Sequence, residues 1–191
     1  MDGKTDLRIR RTYKLLTDAM MEMLKEKDFD DITVRELCER AMVRPATFYK
    51  HFGDKYEFFT FVFSELLNQF HEQSRTLTDP PNPADYKTAV IEHGLIFVES
   101  NKDIITHTLQ GASSYILLDL IADQICRDAS ATLKGGREGI PAADADPDRT
   151  AVIMAGALSY TVKWWVLHDF KPGRGELVKD FQKVFGFGTD S

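Results

Sequence analysis

Apolar residues recur along this chain at spacings of three and four, the mark of helices with one buried stripe, and no stretch alternates as a strand would. Ile9, Tyr13, Leu16, Met20, Met23 and Leu24 define a first helix, with Asp6 as its expected cap. Thr33-Val34-Arg35-Glu36 then forms a capping box, in which hydroxyl and carboxylate each satisfy an orphan amide, and Ile32 and Leu37 add a hydrophobic staple. The spacing breaks after Arg40-Ala41 and restarts at Arg44-Pro45, because proline at the first helical position gives up only an amide that would be unpaired there. This third helix, roughly two turns long, sets Thr47, Tyr49, Lys50 and His51 among Ala46, Phe48 and Phe52 and ends at Gly53.

A fourth helix, opened by a cap at Asp54 and running to Thr76, carries Phe59, Phe63, Leu66, Leu67 and Phe70 on one side. Phe58, Phe61 and Val62 spread around the rest of it, so burial on several sides is expected. Asp79-Pro80-Pro81-Asn82-Pro83 is a break. Helices are predicted over 84–100, 102–110 and 112–134, followed by a Gly/Pro/Ala/Asp-rich loop over 135–149. Thr150–Phe170 is apolar with the small residues Ala155, Gly156, Ala157 and Ser159, and Lys171-Pro172-Gly173 stops it. A last helix, Glu176–Phe185, aligns Leu177, Phe181, Val184 and Phe185. The expected fold is all-α, about nine helices, with a helix-turn-helix domain over residues 1–53 and a larger helical body over 54–191. The last two helices form a hairpin suited to burying its stripe against a second copy or to completing the core.

Composition adds little until charge is mapped. A hydrophobic content of 43% and a charged content of 28% suit a folded globular chain rather than a disordered one. The net charge of -6 argues against a nucleic-acid binder, yet residues 1–56 hold 12 Lys/Arg against 11 Asp/Glu, so the acidic excess belongs to the body. Lys4, Arg8, Arg10, Arg11 and Lys14 cluster where an arm could reach phosphates, or simply form a solvated face. No membrane span is expected: the longest uncharged run, Ile104–Leu118, is too short and too polar, and the charged amino terminus is no signal peptide, which makes the cytoplasm the default location. Cys38 and Cys126 lack metal-site spacing and are expected to be free thiols, with no metal and no cofactor implied. Asp103 and His107, an i, i+4 pair, are the only hint of acid–base chemistry; without a nucleophile motif or phosphate loop beside them they read as a surface ion pair, and no catalytic residue is assigned.

The ordered set Thr33-Val34-Arg35-Glu36-Leu37, Ala41-x-Val43, Thr47-Phe48-Tyr49-x-His51-Phe52 and Asp54-Lys55 resembles the TetR/AcrR family of bacterial transcriptional regulators. The resemblance is strong over residues 7–60 and architectural beyond, where Asn101 and the Trp-containing penultimate helix resemble the ligand-binding and dimerising half. Two positions depart from the pattern. Met42 stands where the family commonly has glycine, and Arg44 stands where a serine often caps the recognition helix. A strained turn and an uncapped helix are therefore expected.

The resemblance implies that the third helix enters the major groove by its amino-terminal end. Arg35 and Arg44 are then the candidates for base edges, and Pro45, Ala46 and the Thr47 methyl for thymine methyl groups. Thr33, Thr47, Tyr49, Lys50, His51 and Lys55 are candidates for phosphates, with Phe48 and Phe52 as core. It further implies a homodimer through the last two helices, two reading units about 34 to 36 Å apart on a double-stranded palindromic operator, and release by a small-molecule effector held in the body. Candidate lining residues are Phe63, Phe70, His93, Phe97, His107, Tyr115, Trp164 and His168. Trp164 and Trp165 are successive on a helix and cannot both face one pocket. The alternative is a dimeric coactivator controlled by a protein partner.

Overall fold

The structure, a computed structural model, describes residues 3–76, 83–134 and 146–185. The break expected at 79–82 lies outside them, as does most of the loop expected over 135–149. The described residues form helices and connecting turns with no strand, as the periodicity predicts. The helices are α1 (Gly3–Met23), α2 (Val34–Arg40), α3 (Pro45–Tyr49), α4 (Lys55–Thr76), α5 (Pro83–Ser100), α6 (Lys102–Leu109), α7 (Ser114–Lys134), α8 (Pro147–Leu167) and α9 (Arg174–Phe185), with a 3-10 turn at Phe29–Asp31.

The α1 helix begins at Gly3, so Asp6 lies inside it and is not its cap. The basic residues from Lys4 to Lys14 accordingly form its first turns rather than an arm. Arg8, Arg10, Arg11 and Lys14 are exposed, and Lys14 pairs with Asp18 at 2.8 Å. The α3 helix, at five residues, is shorter than expected.

Two caps carry the amino-terminal third. Thr33 Oγ1 accepts from the Glu36 amide at 3.2 Å while Glu36 Oε2 accepts from the Thr33 amide at 3.0 Å, the capping box read in the sequence. Asp54 Oδ1 accepts from the amides of Tyr56 and Glu57 at 2.9 and 2.8 Å and opens α4.

Helix α4 is buried on several sides, as its phenylalanines predict. Phe58 packs on Phe52 and Phe48 with ring centroids 4.8 and 5.7 Å away, while Phe59 packs on Phe29 and Phe63, both at 4.3 Å. One continuous core results, from Leu16 and Met20 of α1 through Phe48, Phe58 and Phe63 to Leu95, Ile105, Leu117, Trp165 and Phe181. A shift in α4 is thus felt on both sides of it, because close-packed interiors transmit displacement.

The most extensive helix pair is α7 with α8. Ala151, Ala155 and Ser159, one turn apart on α8, are buried, which allows close approach. The carboxyl-terminal α9 lies along α5, where Arg174 pairs with Glu99, and buries Leu177, Val178 and Phe181. The Trp165 indole, fully buried, donates to the Pro172 carbonyl at 2.7 Å and closes the turn between α8 and α9. One face of α8 is uncovered: Ile153, Gly156, Tyr160, Trp164 and Leu167, at successive spacings of three and four, are all exposed. Among the described residues α8 is also the helix long and apolar enough, by length and composition, to cross a membrane.

Candidate nucleic-acid interface and ligand cavity

The reading unit is built from α2, a tight turn and α3. Met42, in the turn, has φ 52° and is 88% exposed, so a side chain occupies the left-handed region that glycine adopts freely. Arg44 is the N-cap of α3 and makes no side-chain capping bond, leaving its guanidinium exposed beside the first turn. Phe48 is wholly buried and pulls one side of α3 into the core. The opposite side presents Arg44, Pro45, Ala46, Tyr49 and Lys50, all exposed, with Thr47 half-buried between them.

Other predicted contacts are already engaged within the protein. The Thr33 hydroxyl serves the capping box and also donates to Glu36 Oε2 at 2.8 Å. Lys27 donates to Glu36 at 2.9 Å, and that bond, with those from Thr33, holds the Glu36 carboxyl down at about 2. Arg35 is exposed and pairs with Glu39 at 2.9 Å, an i, i+4 pair open to solvent that a phosphate or base can displace at little cost. His51 is half-buried, edge-on to Tyr13 at 5.3 Å, with Nδ1 3.5 Å from the Tyr13 hydroxyl.

Lys55 departs from the expected phosphate role. Its ammonium donates to the carbonyls of Phe29, Asp30 and Ile32 at 3.1, 2.7 and 2.8 Å and lies 4.8 Å from the Phe29 ring centroid. All three N–H donors of an ammonium are thereby used. Burial pushes the Lys55 pKa down, with Asp30 and Asp31 acting against that shift. The partners lie 23 to 26 residues away in sequence, so no local pattern could have revealed them. Arg40, bonded to both carboxylate oxygens of Glu26 at 2.7 Å, likewise ties α2 to the turn that follows α1 across 14 residues of sequence.

The body contains a cavity of about 250 Å³ among α4, α5, α6, α7, α8 and α9. Of the candidate lining residues, Phe63, Phe70 and Phe97 stand on its wall, together with such residues as Leu95, Ile105, Leu117 and Phe181. Gln124 and Asp128 are the polar side chains on its wall. Five candidates fall elsewhere. His93 stacks on the Phe70 ring at 4.7 Å without joining the wall, and His107 instead bonds Asp28 Oδ1 at 2.7 Å. That bond also replaces the expected pairing with Asp103. Tyr115 points to solvent, and Trp164 stacks with His168 at 4.4 Å on the exposed side of α8. Aromatic residues with polar tips can reach water or a distant partner from a helix face, and periodicity alone does not tell these positions from lining ones. Trp165 is buried while Trp164 is exposed, as their spacing requires.

The profile described as "Bacterial regulatory proteins, tetR family" matches residues 16–60, which span the reading unit just described. Over these residues the chain carries the amino-terminal domain of the TetR family. Residues 16–60 hold the family's DNA-binding helix-turn-helix. An uncharacterized HTH-type transcriptional regulator of Mycobacterium tuberculosis is 37% identical over 62 residues, covering 32% of this chain. The match spans 29% of that relative's length. Among solved structures, a TetR transcriptional regulator from Streptococcus agalactiae superposes with TM-score 0.69 at 23% identity, covering 96% of this chain and 98% of that one. The transcriptional regulator FadR from Bacillus subtilis, in complex with stearoyl-CoA, superposes with TM-score 0.68 at 16% identity, covering 94% and 100%. These likenesses show the TetR fold over nearly the whole chain.

Proposed function

We propose that this chain is a sequence-specific transcriptional repressor of the TetR family that binds a palindromic operator as a homodimer and is released by a small molecule with an apolar chain. The observation that carries the reading is the outer face of α3, where Arg44, Pro45, Ala46, Tyr49 and Lys50 are all exposed while Phe48, on the same short helix, is completely buried. A helix held this way offers a guanidinium fork to guanine O6 and N7 and apolar groups to thymine methyls. Tyr49 and Lys50, with Thr47 on the same short helix, are the exposed candidates for phosphates, and Arg35 completes the candidate base contacts.

The uncovered apolar stripe of α8 supports the dimer. Ile153, Tyr160, Trp164 and Leu167, with Gly156 allowing close approach, form a self-complementary face of the kind two-fold interfaces use. Its burial in a dimer also accounts for the membrane-like composition of α8 without a membrane, and a protein with this activity works in the cytoplasm. The almost wholly apolar cavity wall favours an effector over control by a protein partner, and the related fold of FadR holds stearoyl-CoA.

Selection of bound fragments from the source genome, followed by fluorescence anisotropy on the recovered sequence, tests the reading. Specific binding that weakens by about 1 to 3 kcal/mol per half-site for Arg44→Ala, with one base position relaxed, is the expected result. Recovery of no common sequence would defeat it. In light scattering the wild type is expected as a dimer and Tyr160→Glu as a monomer.

A further inference from the structure

The turn between α1 and α2 carries two carboxylates whose partners lie in the other half of the molecule. Asp28 Oδ1 accepts from His107 Nδ1 of α6 at 2.7 Å. Asp30 Oδ2 accepts from the Ser113 amide at 3.1 Å, and Asp30 Oδ1 accepts from the Ser113 hydroxyl. Gly111 completes the seat, since a Cβ there would stand 2.5 Å from Asp30 Oδ2, inside any real contact. The carboxylate therefore occupies space that any other residue at 111 would claim.

From its own side the same turn is held by Lys55, through the carbonyls of Phe29, Asp30 and Ile32. The turn is thus gripped by α4 beneath it and by the α6–α7 connection above it. That connection runs between Ile105 and Leu117, both of which line the cavity.

We infer that Asp30 is a positioning residue for DNA binding: seated on Gly111 and Ser113, it sets, together with α4, the angle at which the reading unit is carried on the body. The α6–α7 connection is then a second joint between cavity and reading unit, independent of the covalent path through α4. This inference rests on the DNA-binding reading above. Hydrogen bonds to an ionised group are stronger than neutral ones, and here they join elements more than 80 residues apart in sequence, so the contact is formed only when the two halves hold their relative orientation.

The experiment uses Asp30→Ala, which removes the carboxylate, and Gly111→Ala, which displaces it without deleting a polar group. Hydrogen exchange is followed over residues 28–33, 110–117 and 34–48, and anisotropy is measured on a genome-selected fragment, corrected to folded protein. Each single variant is expected to speed exchange in the first two segments while 34–48 stays protected, and to weaken DNA binding about tenfold, the scale of one charge-assisted hydrogen bond. In the double variant Gly111→Ala is expected to add nothing, because its clashing partner is gone. Faster exchange spreading equally through 34–48, or unchanged DNA affinity per folded molecule, would overturn the positioning role and leave the DNA-binding reading intact. A wild type that binds no fragment would overturn both, with the exchange data still showing whether the seat exists.

Discussion

The Lys55 ammonium stands 2.7 Å from the Asp30 carbonyl oxygen and uses its remaining donors on Phe29 and Ile32. A cation that satisfies three carbonyls at the end of a 3-10 turn is part of the fold. Lys55→Met is expected to lower stability by about 2 kcal/mol in urea denaturation, because the stranded carbonyls lose a charged donor. Its DNA binding, per folded molecule, should keep the wild-type salt dependence. Lys50→Ala should behave oppositely, with unaltered stability and a slope of log K against log salt reduced by about one per half-site.

Lys55 also marks the boundary of what the sequence discloses. The capping box, the Asp54 cap and the uncapped Arg44 are legible in the residues themselves, since each depends on residues within four positions of one another, whereas the positive φ at Met42 follows from the resemblance to the TetR/AcrR family. The inward Phe48, Phe52, Phe58 and Phe63 were legible for the same reason, through helical spacing. Lys55, Asp28, Asp30 and His107 were not, because their partners are brought in by tertiary folding from 23 to 83 residues away. The cavity is half legible: Phe63 and Phe70 follow from the stripe of α4, whereas the contribution of α7 through Leu117, Ile121 and Gln124 depends on how α7 rotates against its neighbours.

Met42 holds φ 52° with its side chain almost entirely in solvent, so its replacement loses little packing. Met42→Gly is expected to gain about 1 kcal/mol, the cost of a left-handed non-glycine residue less the extra entropy glycine loses on folding. A β-branched residue there should destabilise by more. Urea midpoints at constant m-value would report both.

Glu36 is held at about 2, from an ordinary value of 4.5, first by Lys27 and then by Thr33. A carboxyl with a depressed folded-state pKa binds fewer protons than it does in the unfolded chain, so its contribution to stability is complete above the ordinary range and is lost as pH falls from about 4.5 to about 2. Glu36→Gln should flatten that part of the acid limb in a pH series of thermal melts and leave the profile above pH 6 parallel to wild type. Because the pair is open to solvent, added salt should diminish the difference by screening the Lys27 attraction.

Gly94 lines the cavity, and a Cβ placed on it meets nothing within 4 Å, so the cavity can be filled from α5 without a clash at the first atom. Gly94→Leu also replaces the poorest non-proline helix former inside a helix, worth about 1 kcal/mol. On the proposed reading, in which a molecule with an apolar chain occupies the cavity, the variant is expected to melt higher than wild type and to lose any shift that stearoyl-CoA, used as a probe, gives the wild type. Two consequences separate cavity filling from general damage. DNA affinity without the acyl-CoA should be retained, and its relief by the acyl-CoA should disappear, because a ligand that no longer binds cannot favour either arrangement of the reading units. If Gly94→Leu keeps the full stearoyl-CoA response, the molecule enters elsewhere, and the cavity among α4, α5 and α7 is core rather than a binding site.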